Sequence, residues 1–333
     1  MTQPTRKIGS TAVGEIGYGA MGLAAFYASK KAQNECNEIF NHLISKGCTH
    51  IDTADIYSSR PSNGEGEEQI GAFFASNPGA REKVFLATKH TFLITPNGME
   101  LKAGVEYCAE ALEASLKRLQ TDHVDLYYCH RAVEPVEEQA KGLKNAKDAG
   151  KTRYVGVSEY SVDQLERFEK ICHIDALQIE LSPWTPEVIS NGVLDWCKKN
   201  GTALIAYSPV GRGFLTGAIK SPDDLADDDF RKNNERFQGD NFTKNLELVA
   251  DIKKIADKKG ATPAQIALAW VLAQGDNVHP IPGSTKIRNI DENLGASNVK
   301  LSKSDLDEIN GVINSFKVAG DRYSGPMKDI VHF

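Results

Sequence analysis

Four residues stand where their types and spacing could do chemistry: Asp52, Tyr57, Lys89 and His130. Asp52 ends the run Thr49-His50-Ile51-Asp52, and Tyr57 follows five residues later. Lys89 closes Val84-Phe85-Leu86-Ala87-Thr88-Lys89, and His130 closes Val124-Asp125-Leu126-Tyr127-Tyr128-Cys129-His130. An ionisable group at the end of an apolar run is costly to bury unless it meets a partner. A carboxylate, an ammonium, a phenol and an imidazole together suit proton donation to a carbonyl oxygen that is being reduced. A free tyrosine, with a pKa of about 10, is a reluctant acid at neutral pH. An adjacent Lys89 cation would stabilise the phenolate and lower that pKa. Asp52 would hold Lys89 charged and oriented, and His130 would donate to the carbonyl oxygen.

Elements must bring these four together. Eight β-rich runs recur, at residues 15–23, 50–55, 84–90, 124–130, 152–159, 176–182, 203–209 and 278–284. Amphipathic runs lie between them. In residues 105–119, Ala109, Leu112, Leu116 and Leu119 recur at helical spacing. The run 187–200 stops at Gly201 and the run 245–259 at Gly260, while Thr262-Pro263 reads as a helix start. Strands alternating with helices require parallel pairing. Eight such units predict an α/β fold: one (β/α)8 TIM barrel spanning residues 1–333. Three additions are expected: an N-terminal hairpin at 6–13, a long polar loop at 210–244 after strand seven, and extra C-terminal helices, the final one at 302–315. In such a barrel the C-terminal strand ends form the mouth, and Asp52, Lys89 and His130 end neighbouring strands.

The stretch Gly17-Tyr18-Gly19-Ala20-Met21-Gly22 matches the dinucleotide fingerprint Gly-x-Gly-x-x-Gly. Its context argues against that reading. No clear helix starts before about Lys31, and Asp52 lies 30 residues beyond Gly22, where the fingerprint wants an acidic residue after about 20. The glycines read instead as a strand ending in a tight loop.

Composition bounds the function classes. The chain has 333 residues, 41% of them hydrophobic, and a net charge of -6. Without a Lys/Arg-rich run, neither nucleic acid nor an anionic membrane is an expected partner. No apolar stretch approaches the ~18 residues of a membrane span, and the polar start Met1–Lys7 predicts no secretory leader. Six cysteines without a Cys-x-x-Cys pair, in apparent helices or strands, predict reduced thiols and a cytoplasmic location. The eight histidines, His332 among them, show no metal-ligand spacing. Oligomeric state is not legible.

The tetrad, with its motif Asp52-Thr53-Ala54-Asp55-Ile56-Tyr57, resembles that of the aldo-keto reductase superfamily. Gly156-Val157-Ser158-Glu159 and Tyr207–Gly217 are similar to its microbial and plant branch, which has pyridoxal-reductase-like neighbours. The resemblance implies NADPH-dependent reduction of an aldehyde or ketone, with NADPH/NADP+ extended across the barrel mouth. It implies that Ser158 and Gln178 hold the carboxamide and that Tyr207 stacks on the nicotinamide. Ser208, Val210 and Gly211 would begin the loop over the pyrophosphate, with Arg212 on a phosphate. Gly283, Ser284, Lys286 and Arg288 would clasp the 2′-phosphate, with Glu292 and Asn293 near adenine. Glu159 stands where many relatives carry Asn, Gly283 where many carry Lys, and Asn289 where many carry Arg, which leaves the phosphate to Lys286 or Arg288. Met21, Tyr27, His130 and Trp184 would line the substrate site, with Phe26, His90, Phe92 and Arg131 nearby. Aromatic walls of this kind suit pyridoxal or other aromatic or small aldehydes. The alternative is a cofactor-binding regulatory subunit of the potassium-channel β type, which shares the fold.

Overall fold

The structure is a computed structural model that describes residues 3–27, 30–96, 98–325, 328 and 331. Eight strands form one parallel sheet: β1 Tyr18–Gly19, β2 His50–Asp52, β3 Phe85–His90, β4 Val124–Cys129, β5 Thr152–Ser158, β6 Ala176–Glu180, β7 Ala203–Tyr207 and β8 Val278–Pro280. Each pairs with the next in chain order. The two outer edges meet, because Gly17 N–H donates to Pro280 O at 2.9 Å and Gly19 N–H to Pro282 O at 3.4 Å. With helices outside, this is the expected (β/α)8 barrel.

Closure explains the glycine-rich stretch. A Cβ on Gly19 would stand 2.9 Å from Ile281 O, and one on Gly283 would stand 2.7 Å from Gly19 O. Only glycine at both positions lets the first and last strands approach so closely. Strand one is shorter than the expected 15–23, since Met21–Ala24 winds into a short helix that buries Leu23 and Ala24. The first long helix is Gln33–Ser45.

Side-chain parity organises the core, because successive strand residues face opposite sides. Phe85, Ala87, Leu126, Tyr128, Ala176, Ala203 and Ile205 make the inner cluster, closed from below by Ile8 and Val13 of the hairpin Thr5–Ile8/Thr11–Gly14. Leu86, Tyr127, Cys129, Leu177 and Leu204 belong to the outer cluster beneath the helices. Helix Val105–Leu119 has the expected bounds, but its buried stripe runs through Cys108, Leu112, Leu116 and Leu119, and Ala109 is exposed. Run 187–200 divides into a short 3-10 turn, Glu187–Ile189, and the helix Val193–Asn200. Thr262 caps Pro263–Leu272 by accepting from Gln265 N–H at 3.2 Å.

Two expectations change. Residues 210–244 are not an open polar loop. They form 3-10 turns at Gly211–Thr216, Pro222–Asp224, Phe230–Asn233 and Glu235–Phe237, then enter the helix Gly239–Lys259. Phe214, Leu215, Leu225 and Phe237 are buried, which gives the segment a core of its own. Beyond the barrel helix Ile287–Gly295 the C-terminus adds a single α-helix among the described residues, Lys303–Ser315, capped by Ser302. All six cysteines are buried and unpaired, although Cys48 and Cys172 lie outside the helices and strands.

Candidate active site

Inward parity selects the site residues. Asp52, Lys89, Ser158, Gln178 and Tyr207 lie an even number of residues from inner-cluster or barrel-interior positions of their own strands. Register then sets their depth: Asp52 pairs with Ala87, Lys89 with Tyr128, and Gln178 with Ser158. Lys89 is fully buried; its Nζ donates to Asp52 Oδ1 at 2.6 Å and to Thr53 O at 2.7 Å. From across the barrel, Gln178 Nε2 donates to Asp52 Oδ2 at 2.8 Å. Both carboxylate oxygens of Asp52 are therefore engaged. Burial pushes the Asp52 carboxyl up and the Lys89 ammonium down, and each partner opposes the other's shift.

Tyr57 follows strand β2 on a loop and is buried with Ala25, Ala54, Ile56 and Phe92, with Met21 packed against them. Lys89 Nζ lies 5.2 Å from the centre of its ring. The His130 ring stands edge-on to it at 6.1 Å. These contacts bring the whole tetrad together. One expectation is corrected: Tyr57 does not have a lowered pKa. Burial holds its hydroxyl well above the usual range, and the Asp52 carboxylate adds to the rise. The Tyr57 phenol therefore keeps its proton at neutral pH. His130 is held well below the usual histidine range by burial and by Arg131 and Lys89, so its imidazole is neutral.

The residues implied for the nicotinamide lie at adjacent strand ends. Ser158 Oγ is 3.5 Å from Arg131 Nη1. With its amino group on Asp52, Gln178 has its carbonyl oxygen left as an acceptor for a carboxamide. Tyr207 is half-buried, and its hydroxyl donates to Glu159 Oε1 at 2.8 Å. Ser208, Gly211, Arg212 and Gly213 all adopt positive φ, so the chain turns sharply after β7 around the buried Val210. Arg212 does not stand open to a phosphate; it is buried with Nη2 3.1 Å from Glu180 Oε2, and its guanidinium lies over the Tyr323 ring.

That region holds a network the sequence reading missed. Glu159, fully buried, pairs with Arg322, whose Nε is also 3.4 Å from Glu180 Oε2. Tyr323 OH meets Tyr207 OH at 2.8 Å. The C-terminal segment is tied down by Asn245, which binds both the N–H and the O of Ala319, and by Asn234 Nδ2, which donates to Arg322 O at 2.9 Å. Glu159, an acid in place of an amide, was the one signal that a cation had to arrive from elsewhere.

The substrate assignments divide. Met21 and Phe92 border Tyr57. Tyr27 packs edge-on to Phe230 at 5.1 Å beneath the Arg231 guanidinium, and Phe26 is exposed. Trp184 is not a pocket wall: it is 2% exposed and stacks on Phe214 at 4.5 Å in the core of the 210–244 segment. His90 has outward parity, binds Tyr128 O and stacks on Tyr127, so it too leaves the pocket.

At the other end, Gly283 closes the barrel as described. Helix Ile287–Gly295 has Lys286 at its N-cap with no side-chain cap, and Ser284 Oγ accepts from Lys286 N–H. Lys286 and Arg288 are exposed, and neither has an ion-pair partner among the described residues. Asn293 is buried and Glu292 half-buried on the same helix. A groove of about 980 Å3 lies at the opposite face, lined by Arg81, Glu113, Lys117, His123, Asp125 and Arg153, far from the strand ends that carry the tetrad. Among the described residues no group of His, Cys, Asp and Glu is arranged to hold a metal, and no helix is long and apolar enough to cross a membrane. His332 lies outside the described residues.

Comparison with known proteins agrees with this geometry. The profile of the Aldo/keto reductase family matches residues 15–314. Aldo-keto reductase yakc [NADP(+)] of Schizosaccharomyces pombe is 43% identical over 330 residues, covering 97% of this chain and 95% of that protein. Probable aldo-keto reductase 1 of Glycine max is 40% identical, covering 93% and 88%. Among solved structures, glycerol dehydrogenase AKR11B4 from Gluconobacter oxydans superposes with a TM-score of 0.84 over 98% of this chain and 99% of that one, at 24% identity. The thermostable aldo-keto reductase Tm1743 gives 0.72 over 94% and 99%, at 28% identity. With its profile, its relatives and its barrel in agreement, this chain belongs to the aldo/keto reductase family of oxidoreductases.

Proposed function

We propose that the chain reduces an aldehyde or ketone to an alcohol with NADPH, and that Tyr57 is the general acid. The observation that carries this is the buried Lys89–Asp52–Gln178 cluster beneath a protonated Tyr57, with His130 beside it. The cofactor is NADPH/NADP+; a relative at 43% identity is named for NADP(+). The residues fit it. An uncapped helix N-terminus flanked by Lys286 and Arg288 suits the 2′-phosphate, and Ser158 with the free Gln178 oxygen suits a carboxamide.

NADPH, when bound, supplies the hydride. Tyr57 Oη holds the proton that passes to the carbonyl oxygen as the carbonyl carbon is reduced. Lys89 sits beside the phenol and stabilises the charge that develops on it, while Asp52 and Gln178 keep the ammonium in place. His130, neutral, donates an N–H to the carbonyl oxygen and orients it. The barrel wall around Tyr57 is apolar and excludes water, through Ala54, Ile56 and Phe92. Six unpaired cysteines suit a reducing compartment such as the cytoplasm. Pyridoxal and other aromatic or small aldehydes are the substrates we favour.

Initial rates with NADPH across pyridoxal, methylglyoxal and nitrobenzaldehydes test the proposal. NADPH oxidation that depends on aldehyde is expected; none with any carbonyl would refute it. The regulatory-subunit alternative draws no support from the named relatives, which are reductases and a dehydrogenase.

A further inference from the structure

One guanidinium at the mouth has no part in the chemistry above. Arg131 follows His130 at the end of β4 and is 5% exposed. Its Nη1 donates to His130 O at 2.7 Å and lies 3.5 Å from Ser158 Oγ. The guanidinium stands 5.7 Å from the centre of the Phe92 ring, which itself meets the His130 ring edge-on at 5.0 Å. Its backbone is fixed from behind, where Gln139 Nε2 donates to Arg131 O at 3.0 Å. Its Nε is buried and has no hydrogen-bond partner.

Charge matching singles this residue out. Lys89 faces Asp52, Arg212 faces Glu180, and Arg322 faces Glu159 and Glu180. No carboxylate stands within ion-pair distance of Arg131 among the described residues. The carboxyl of Asp55, another buried acid, is pushed well above its usual range by burial and by Glu67, and it is not in ion-pair contact with Arg131. Glu159 acts on Arg131 only from beyond ion-pair distance and is itself paired with Arg322. Lys89, Arg212, Arg322 and Arg131 therefore share the three carboxylates Asp52, Glu180 and Glu159, and a buried cation in excess is costly unless an anion arrives. The nicotinamide end of the cofactor does not bring one, since that ring is neutral when reduced and positive when oxidised. The incoming molecule that reaches His130, Tyr57 and Phe92 is the carbonyl substrate.

We propose that Arg131 is a specificity-determining residue that receives a carboxylate carried by the carbonyl substrate close to its reacting carbon. The favoured class is therefore carboxylated aldehydes and ketones, with Phe92 and the Tyr57 cluster bordering the rest of the molecule. A planar guanidinium matches a carboxylate in a two-point contact, which a neutral ester or amide cannot return with equal strength. This assignment rests on the reductase reading and adds the substrate class to it.

The test compares kcat/KM for 2-carboxybenzaldehyde, its methyl ester and benzaldehyde with NADPH. The wild type should prefer the acid over the ester by roughly tenfold or more, the scale of one charge-assisted contact. In Arg131→Met that ratio should fall to about one, with the change in KM, and Arg131→Lys should recover part of it. A fold defect lowers all three substrates together and leaves the ratio unmoved. A measurement on the wild type alone covers the case in which the variants do not fold: benzoate should raise the melting temperature and compete with the aldehyde, and benzamide should do neither. Equal turnover of acid and ester, or a preference that survives Arg131→Met, overturns the assignment while leaving the reductase reading intact. Failure to reduce even benzaldehyde and every other carbonyl overturns both.

Discussion

Replacing Arg322 by Ala should loosen the mouth of the barrel in a measurable way. Arg322 is 7% exposed and faces two buried carboxylates, Glu159 and Glu180. Removing one member of a buried pair generally costs about 3–5 kcal/mol, because a charge is left without its partner. Here the loss is smaller. Glu180 keeps Arg212 at 3.1 Å, and Glu159 keeps the Tyr207 hydroxyl at 2.8 Å and the Glu180 N–H at 3.3 Å. A cost of about 2–3 kcal/mol follows from that discount. At about 2.1 cal/mol/K per residue the unfolding entropy of 333 residues is about 0.7 kcal/mol/K. The melting temperature should then fall by about 3–4 °C.

The pH dependence gives the variant a signature. In the wild type the Glu159 carboxyl lies below its usual range; burial pushes it up, but Arg322 and Arg131 more than offset that. A depressed carboxyl contributes stability that is present above its unfolded pKa and is lost as pH falls through the folded value. Without Arg322 the depression shrinks, so part of that stability is missing already at neutral pH and acid destabilises the variant less steeply. Adding Glu159→Gln removes the stranded charge. The double variant should recover much of the lost stability, with a coupling of about 1–3 kcal/mol. Thermal melts of wild type, both singles and the double at pH 7 and 5 measure this. A single variant within 1 °C of wild type, or strictly additive effects, would refute the buried-pair argument.

Tyr57→Phe should cut kcat by roughly two or more orders of magnitude while NADPH binding stays nearly intact; turnover within a few fold of wild type would remove Tyr57 as the acid. Lys286→Ala and Arg288→Ala should weaken NADPH roughly 10- to 150-fold, the scale of a charge-assisted contact, and NADH far less; equal loss of both cofactors by fluorescence titration would place the 2′-phosphate elsewhere. Gly19→Ala puts a methyl 2.9 Å from Ile281 O at the barrel seam and should cost about 1–3 kcal/mol in urea unfolding; an unchanged midpoint would mean that the seam yields freely.

The barrel was legible because its signals are local. Strand runs and helix periodicity repeat at fixed spacing, and Thr262-Pro263 announces a cap within four residues. The grouping of the four candidate residues was legible because Asp52 ends a strand and Lys89 is the last but one residue of the next, both with inward parity, and Tyr57 and His130 lie beyond strand ends. Trp184 and His90 were misplaced for the complementary reason. An aromatic near a strand end looks the same in sequence whether it faces the mouth or the helices. His90 differs from Lys89 by one position, and one position reverses the face. Arg212 was read as a phosphate contact because Glu180, 32 residues earlier, cannot be seen to oppose it without the barrel. The pairing of Glu159 with Arg322 spans 163 residues and depends on where a C-terminal segment folds back, which no periodicity encodes.

Together these pairs explain how a buried, charged mouth remains tolerable. Three cations, Lys89, Arg212 and Arg322, are each set against a carboxylate. Burial, with the Asp52 carboxylate adding to it, holds the Tyr57 hydroxyl well above its usual range. Lys89 nevertheless stays beside the phenol, where, on the proposed reading, it would act once charge develops there. The carboxylate of Asp52 fixes that geometry and also keeps the phenol protonated in advance. If Tyr57 is the acid proposed above, it would have to hold its proton until a carbonyl is in place, and substituting Asp52 should disturb the position of Lys89 and the proton affinity of Tyr57 together.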